Sequence, residues 1–123
     1  MNIIDSSAWL SYFADEPAAC NFHPPIQDTE SLIVPVITIY EVFKVVLRES
    51  SENEALQVVA AMQKGKIVDL TTNLAISASR LSLKHKLPMA DSIILATAKQ
   101  YDATVWTQNI DFNGIPGVNY FPK

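Results

Sequence analysis

Four carboxylates, Asp5, Glu41, Asp91 and Asp111, stand at places in the chain where they could act together. Asp5 closes a short apolar run, Asn2 to Asp5, that reads as a strand. Glu41 falls in the first turn of a helix expected from Thr38. Asp91 falls in the first turn of another, expected from Ala90. Asp111 lies in the polar loop after a strand at Thr104–Thr107. In an open parallel sheet these are all positions beyond the carboxyl ends of strands, where ligands bind. Four acids drawn to one point repel each other unless cations lie between them. An all-oxygen donor set favours Mg²⁺ or Mn²⁺ over zinc. Such an ion lowers the pKa of a bound water and neutralises charge on a phosphoryl group in flight.

Each acid also has a plainer role open to it. Asp5 can cap the helix that starts at Ser6. Glu41 shares a helix face with Lys44 and Arg48, the pattern of a solvated, ion-paired surface. Asp111 is an ordinary loop residue. Asp91 is the least easily explained away. Its neighbours at +3, +4 and +7 are Ile94, Leu95 and Ala98, and a carboxylate on a buried face needs a partner or a metal. A helix cap, and the favourable dipole at a helix start, compete for it. Ser6 and Thr38 would flank the site and hydrogen-bond a carboxylate or a metal-bound water, or else cap helices. Thr107 either orients the loop carrying Asp111 or merely finishes a strand.

The elements that must position these groups alternate between apolar runs and helical periodicity, which predicts an α/β fold with a mostly parallel sheet. Ser6–Ala14 reads as a helix. A Pro-broken stretch follows at Phe22–Pro25. Leu32–Val34 reads as a strand stopped by Pro35, and Thr38–Glu49 as a helix. Another helix starts at Ser51, where Ser51 and Glu54 match a capping box, and ends before Gly65. Then come a strand at Ile67–Leu70, helices at Asn73–Lys86 and Ala90–Tyr101, the strand at Thr104–Thr107, and an edge strand at Val118–Phe121. The whole chain, 1–123, reads as one domain.

Hydrophobic residues make up 49% and charged residues 18% of the 123, enough apolar material for a core and unlike a disordered chain. No apolar run approaches the ~18 residues of a membrane helix. The start, Met1 to Asp5, has neither the basic region nor the cleavage site of a signal peptide. Cys20 is the only cysteine, so no disulfide can form within the chain, which suits a reducing cytoplasm. The net charge is −4, unlike most proteins that grip phosphate backbones. Setting the four candidate acids aside leaves nine acids to balance nine Lys and Arg. The densest basic patch is Arg80, Lys84, His85 and Lys86, more simply read as solvated helix. His23 and His85 lack metal-ligand spacing, and there is no Ser-His-Asp set or Gly-rich phosphate loop.

The opening Ile4-Asp5-Ser6-Ser7-Ala8-Trp9-Leu10 resembles the start of PIN domains of the VapC family. So do Pro35 through Thr38 and Glu41, the block Ala90-Asp91-Ser92-Ile93-Ile94 with Ala96-Thr97-Ala98, and Thr107-Gln108-Asn109-Ile110-Asp111-Phe112. Order and spacing agree over nearly the whole chain. The resemblance implies a three-layer α/β/α sandwich and one or two Mg²⁺ or Mn²⁺ ions held by Asp5, Glu41, Asp91 and Asp111. It implies RNA as substrate, with 5′-phosphate and 3′-hydroxyl products. It also implies a homodimer and a small antitoxin that blocks the acidic groove with an Arg or Lys. Asn109 stands where some relatives carry another acid, which makes Asp111 the better fourth ligand and Asn109 a neutral helper. Residues 18–31 match poorly.

Two other classes compete. A receiver-type signalling domain is also a parallel α/β domain with an acidic Mg²⁺ pocket. It would want an acidic pair after the first strand and a Lys after the last core strand. Here Ser6-Ser7 follow Asp5, and no Lys lies between Lys99 and Lys123. The second is a PIN-like binding module without catalysis, which a nuclease assay separates from an enzyme.

Overall fold

A computed structural model describes all residues, 1–123. Five strands, β1 (Asn2–Ile4), β2 (Leu32–Pro35), β3 (Lys66–Val68), β4 (Thr104–Thr107) and β5 (Val118–Tyr120), form one sheet in the order β3-β2-β1-β4-β5. All four pairings are parallel, so the sheet is wholly rather than mostly so. The order reverses between β1 and β4. That is the switch point of a doubly wound sheet, where a crevice opens beyond the strand ends.

Alternation along the strands explains the three layers, because successive side chains point to opposite faces. Ile3, Ile33 and Val105 face one side, against helices α5 (Thr72–His85) and α6 (Met89–Tyr101). Ile4, Leu32 and Val34 face the other, against α1 (Ser6–Phe13), α2 (Ala19–Gln27), α3 (Val36–Glu49) and α4 (Glu52–Met62). The central helix is α6, buried throughout from Ser92 to Ala98. This matches its sequence, which is apolar all round rather than on one stripe.

Local signals account for most element ends. The Ser51 hydroxyl accepts from the Glu54 N–H and caps α4, as its motif predicts. Thr71 caps α5 by accepting from the Leu74 N–H, and Lys86 ends it in the left-handed region. Two expectations need correction. The Pro-broken stretch is helical: α2 runs through Pro24 and Pro25. Proline removes helix hydrogen bonds, but Ala19, Phe22, Pro25 and Ile26 are buried. Phe22 packs edge-on against Phe121 at 5.6 Å between ring centroids. Tertiary packing overrides the local preference. Pro35 does not stop β2 but belongs to it, paired with Val68, and α3 starts at Val36, two residues earlier than expected. Glu41 therefore lies in the second turn of α3.

Gly65, at the entry to β3, is held by close approach. A Cβ there would lie 2.9 Å from the Leu32 carbonyl oxygen and 2.9 Å from its Cγ. Gly65→Ala is expected to cost about 1–3 kcal/mol, the usual scale of overpacking. Thermal unfolding tests this, and an unchanged melting temperature would mean that β2 yields freely.

Candidate active site

Asp5 is the residue after β1 and the N-cap of α1, so it holds both the positions open to it from sequence. It is 2% exposed. Its Oδ1 accepts from the Ala8 N–H at 2.9 Å and the Ser7 hydroxyl at 2.8 Å. Its Oδ2 accepts from the Thr107 hydroxyl at 2.7 Å. Thr107, fully buried at the end of β4, thus ties the two strands of the switch point together. It also accepts from the Asn109 N–H at 2.8 Å, which turns the following loop. Burial pushes the Asp5 carboxyl above its usual range. The Thr107, Ala8 and Ser7 donors oppose that shift, and the Glu41 charge adds to it.

Asp91 is the third residue of α6. The N-cap is Pro88, so capping does not explain it. Its carboxyl is pushed up to about 6, chiefly by burial and then by the charges of Asp5, Glu41 and Asp111, with the Asn109 amide opposing. A helix start favours the anion, yet burial and three like charges win. Electrostatically, then, the four acids from β1, α3, α6 and the loop after β4 are one group.

Neutral side chains hydrogen-bond the other three acids or their backbone. Ser6 donates to Glu41 Oε1 at 2.5 Å. Asn109 donates through Nδ2 to Asp91 Oδ2 at 3.1 Å and accepts at Oδ1 from the Asp111 N–H at 3.0 Å. Asp111 itself is exposed, in a single 3-10 turn, Ile110–Phe112. Thr38 is buried, and its hydroxyl donates to the Pro35 carbonyl at 2.7 Å. It closes the first turn of α3 and does not reach a carboxylate. Ser7 was not singled out from the sequence. Its partners, Asp5 and the Gln108 N–H at 3.2 Å, include one that lies a hundred positions away, and no local pattern signals that.

No cation of the chain answers this charge. Lys44 lies over the Tyr40 ring at 5.6 Å, and Arg48 pairs with its neighbour Glu49 in the chain's single ion pair. No three of the acids already close around one point. The donor set nonetheless fits a hard divalent ion: all oxygen, uncompensated, and in part desolvated. The larger concavities lie elsewhere: one of about 510 Å³ beside Tyr12, Cys20 and His23, one of about 490 Å³ between α5 and α6, and one of about 460 Å³ between α1, α3 and α4. The candidate site is distinguished by its coupled charges at the switch point, not by cavity size.

Residues 3–118 match the family described as the PIN domain. The chain belongs to the PIN domain family. Solved structures agree on the fold of this PIN domain. A chain of the toxin-antitoxin complex from Klebsiella pneumoniae superposes with a TM-score of 0.85 at 24% identity, covering all of both chains. VapC20 of Mycobacterium tuberculosis, described as a sarcin-ricin loop cleaving toxin, gives 0.81 at 14% identity, over 99% of this chain and 100% of that one. DNA-bound VapBC from Salmonella typhimurium gives 0.73 at 20%, over 99% and 98%. No curated protein matches the sequence.

Within this PIN domain the Asn109 amide is the side-chain donor that favours ionised Asp91. Asn109→Ala is therefore expected to move the Asp91 titration above its value of about 6. Carboxyl ¹³C chemical shifts across pH would report it. A midpoint that stays or falls would show that the amide does not hold the carboxylate.

Proposed function

We propose that this PIN domain is a Mg²⁺- or Mn²⁺-dependent ribonuclease, the toxin of a toxin–antitoxin pair. The observation that carries this reading is the group of four acids, Asp5, Glu41, Asp91 and Asp111, coupled at the sheet's switch point with no cation of the chain to balance them. Asp5, Asp91 and Asp111 would hold the metal, with Glu41 bound directly or through water. When bound, the ion polarises the phosphate and lowers the pKa of an attacking water.

The chain's own residues do the positioning. Thr107 fixes the rotamer of Asp5, Ser6 holds Glu41, and Asn109 links Asp91 to the backbone of Asp111. No side chain need be the nucleophile. Burial and the neighbouring acids raise the Asp91 carboxyl to about 6, so a cation held there would compete with its proton.

The relatives support one of the proposed partners. Several solved neighbours are toxin–antitoxin complexes, which supports a small cognate antitoxin whose Arg or Lys enters the acidic groove. A homodimer is supported by the apolar side chains left exposed on α3, Val36, Tyr40 and Leu47. No helix is long and apolar enough to cross a membrane, and a free, exposed Cys20 fits a reducing cytoplasm.

The test is incubation of the purified chain with end-labelled RNA, first in chelator, then with Mg²⁺ or Mn²⁺ restored. Cleavage only after repletion, leaving 5′-phosphate and 3′-hydroxyl ends, is the expected result. No cleavage with either metal, on a panel that includes structured ribosomal and transfer RNA, would favour the silent binding module. An aspartyl-phosphate adduct after incubation with a small phosphodonor would favour the receiver reading.

A further inference from the structure

We infer that Ser7 is a positioning residue for the candidate metal centre: it determines which oxygen of Asp5 is offered to the cation. The inference rests on the nuclease reading above. An ionised carboxylate has about four lone-pair sites on its two oxygens. On Asp5, Oδ1 takes both the Ala8 N–H and the Ser7 hydroxyl. Oδ2 takes only the Thr107 hydroxyl. Oδ1 is therefore full, and Oδ2 keeps the free site.

The direction of the Ser7 bond is itself fixed. Ser7 Oγ accepts from the Gln108 backbone N–H at 3.2 Å, a donor that cannot reverse. Its one proton is then available for Asp5, at 2.8 Å. Its contact with the Thr107 hydroxyl is longer, 3.5 Å, as expected when both hydroxyl protons go to the same carboxylate. Ser7 is on α1 and Gln108 follows β4, so this clasp crosses the switch point beside the Thr107–Asp5 bond. Two hydroxyls, one on each oxygen, hold the carboxylate against rotation about its terminal torsion. That torsion is otherwise broad for Asp.

Loss of the Ser7 hydroxyl leaves Oδ1 with the Ala8 N–H alone, so one of its lone-pair sites opens and it competes with Oδ2 for the cation. Removing a partner of a metal ligand lowers metal affinity about 10–100-fold. The experiment compares wild type, Ser7→Ala and Ser7→Thr, in Mn²⁺-dependent RNA cleavage and in direct Mn²⁺ titration by calorimetry. Unfolding in chelator is measured alongside. For Ser7→Ala the Mn²⁺ dissociation constant and the metal concentration for half-maximal cleavage are expected to rise together, by about tenfold or more. RNA binding without metal should not change. Ser7→Thr keeps the donor and should recover most of the affinity.

A merely structural role would lower the melting temperature in chelator and leave the Mn²⁺ constants alone, and that result overturns the inference. If Ser7→Ala does not fold, Ser7→Thr and Ser7→Cys decide. The weaker sulfhydryl donor must bind Mn²⁺ less well than the hydroxyl, and equal affinities overturn the inference. Wild-type protein that neither binds Mn²⁺ nor cleaves overturns this inference and the nuclease reading together. An active wild type matched by Ser7→Ala overturns only this one.

Discussion

Asp5→Asn and Asp91→Asn are each expected to reduce metal-dependent RNA cleavage by roughly a thousandfold while the fold survives. A catalytic metal is worth several kcal/mol of charge stabilisation, and each 1.4 kcal/mol is a factor of ten. Both substitutions keep the shape of the side chain and remove one charge from the ligand set. Asn at position 5 can still accept from the Ala8 N–H, so α1 keeps its cap. The measurement is single-turnover cleavage of a defined RNA, with circular dichroism to confirm folding. On the toxin reading, expression of the wild type should also arrest growth and the same variants should relieve that arrest. Full cleavage by either variant would remove Asp5 or Asp91 from the metal set.

Mn²⁺ should raise the melting temperature of the wild type substantially, and the metal-free protein should lose stability as pH rises from about 4 to about 6. The sign follows from Asp91. Its carboxyl titrates near 6 in the fold against about 3.9 in the unfolded chain. Between those values the native state binds more protons than the unfolded state, so stability falls with rising pH and levels off above. Asp5, raised by its burial, acts in the same direction. A cation that binds only the folded state reverses the loss. Free metal at 100 times its dissociation constant adds about 2.7 kcal/mol, roughly 10 °C for a chain of this size. Asp91→Asn should stabilise the metal-free protein, flatten its pH slope and shrink the metal-induced shift. If Asp91 only tuned the helix dipole, the substitution would instead lower metal-free stability slightly.

Asp91 was the most legible of the site residues, and the reason is periodicity. The apolar residues around it fill every face of α6, so the buried setting of a carboxylate could be read from Ile93 to Ala98 alone. Asp5 is legible as either a cap or a ligand, and it is a cap whose second oxygen accepts from Thr107 and whose carboxyl feels the charge of Glu41. Glu41 reads from sequence as a first-turn residue of α3 but lies in the second turn, because Pro35 belongs to β2 and the helix starts directly after it. Pro35 is the last residue of β2, and its carbonyl accepts from the Thr38 hydroxyl as α3 begins. The second helix was not legible. Two adjacent prolines argue against it locally, and only the burial of Phe22 and Ile26 against distant parts of the chain sustains it. The same limit hid Ser7. Its role depends on Gln108, brought close by the pairing of β1 with β4. A hydroxyl whose partners are far apart in sequence looks like any other serine at a helix start.

Calorimetric titration of Mn²⁺ into the metal-free wild type tests most directly whether the four acids form one cation site. Run at pH 6 in two buffers of different ionisation enthalpy, it reports binding and proton release together. The expected result is saturable binding with proton release, since burial and the neighbouring charges raise the Asp91 carboxyl to about 6. Asp91→Asn should bind far more weakly and release fewer protons. Absence of saturable binding in the wild type, or binding that Asp91→Asn leaves unchanged, would contradict a shared metal site at Asp5, Glu41, Asp91 and Asp111.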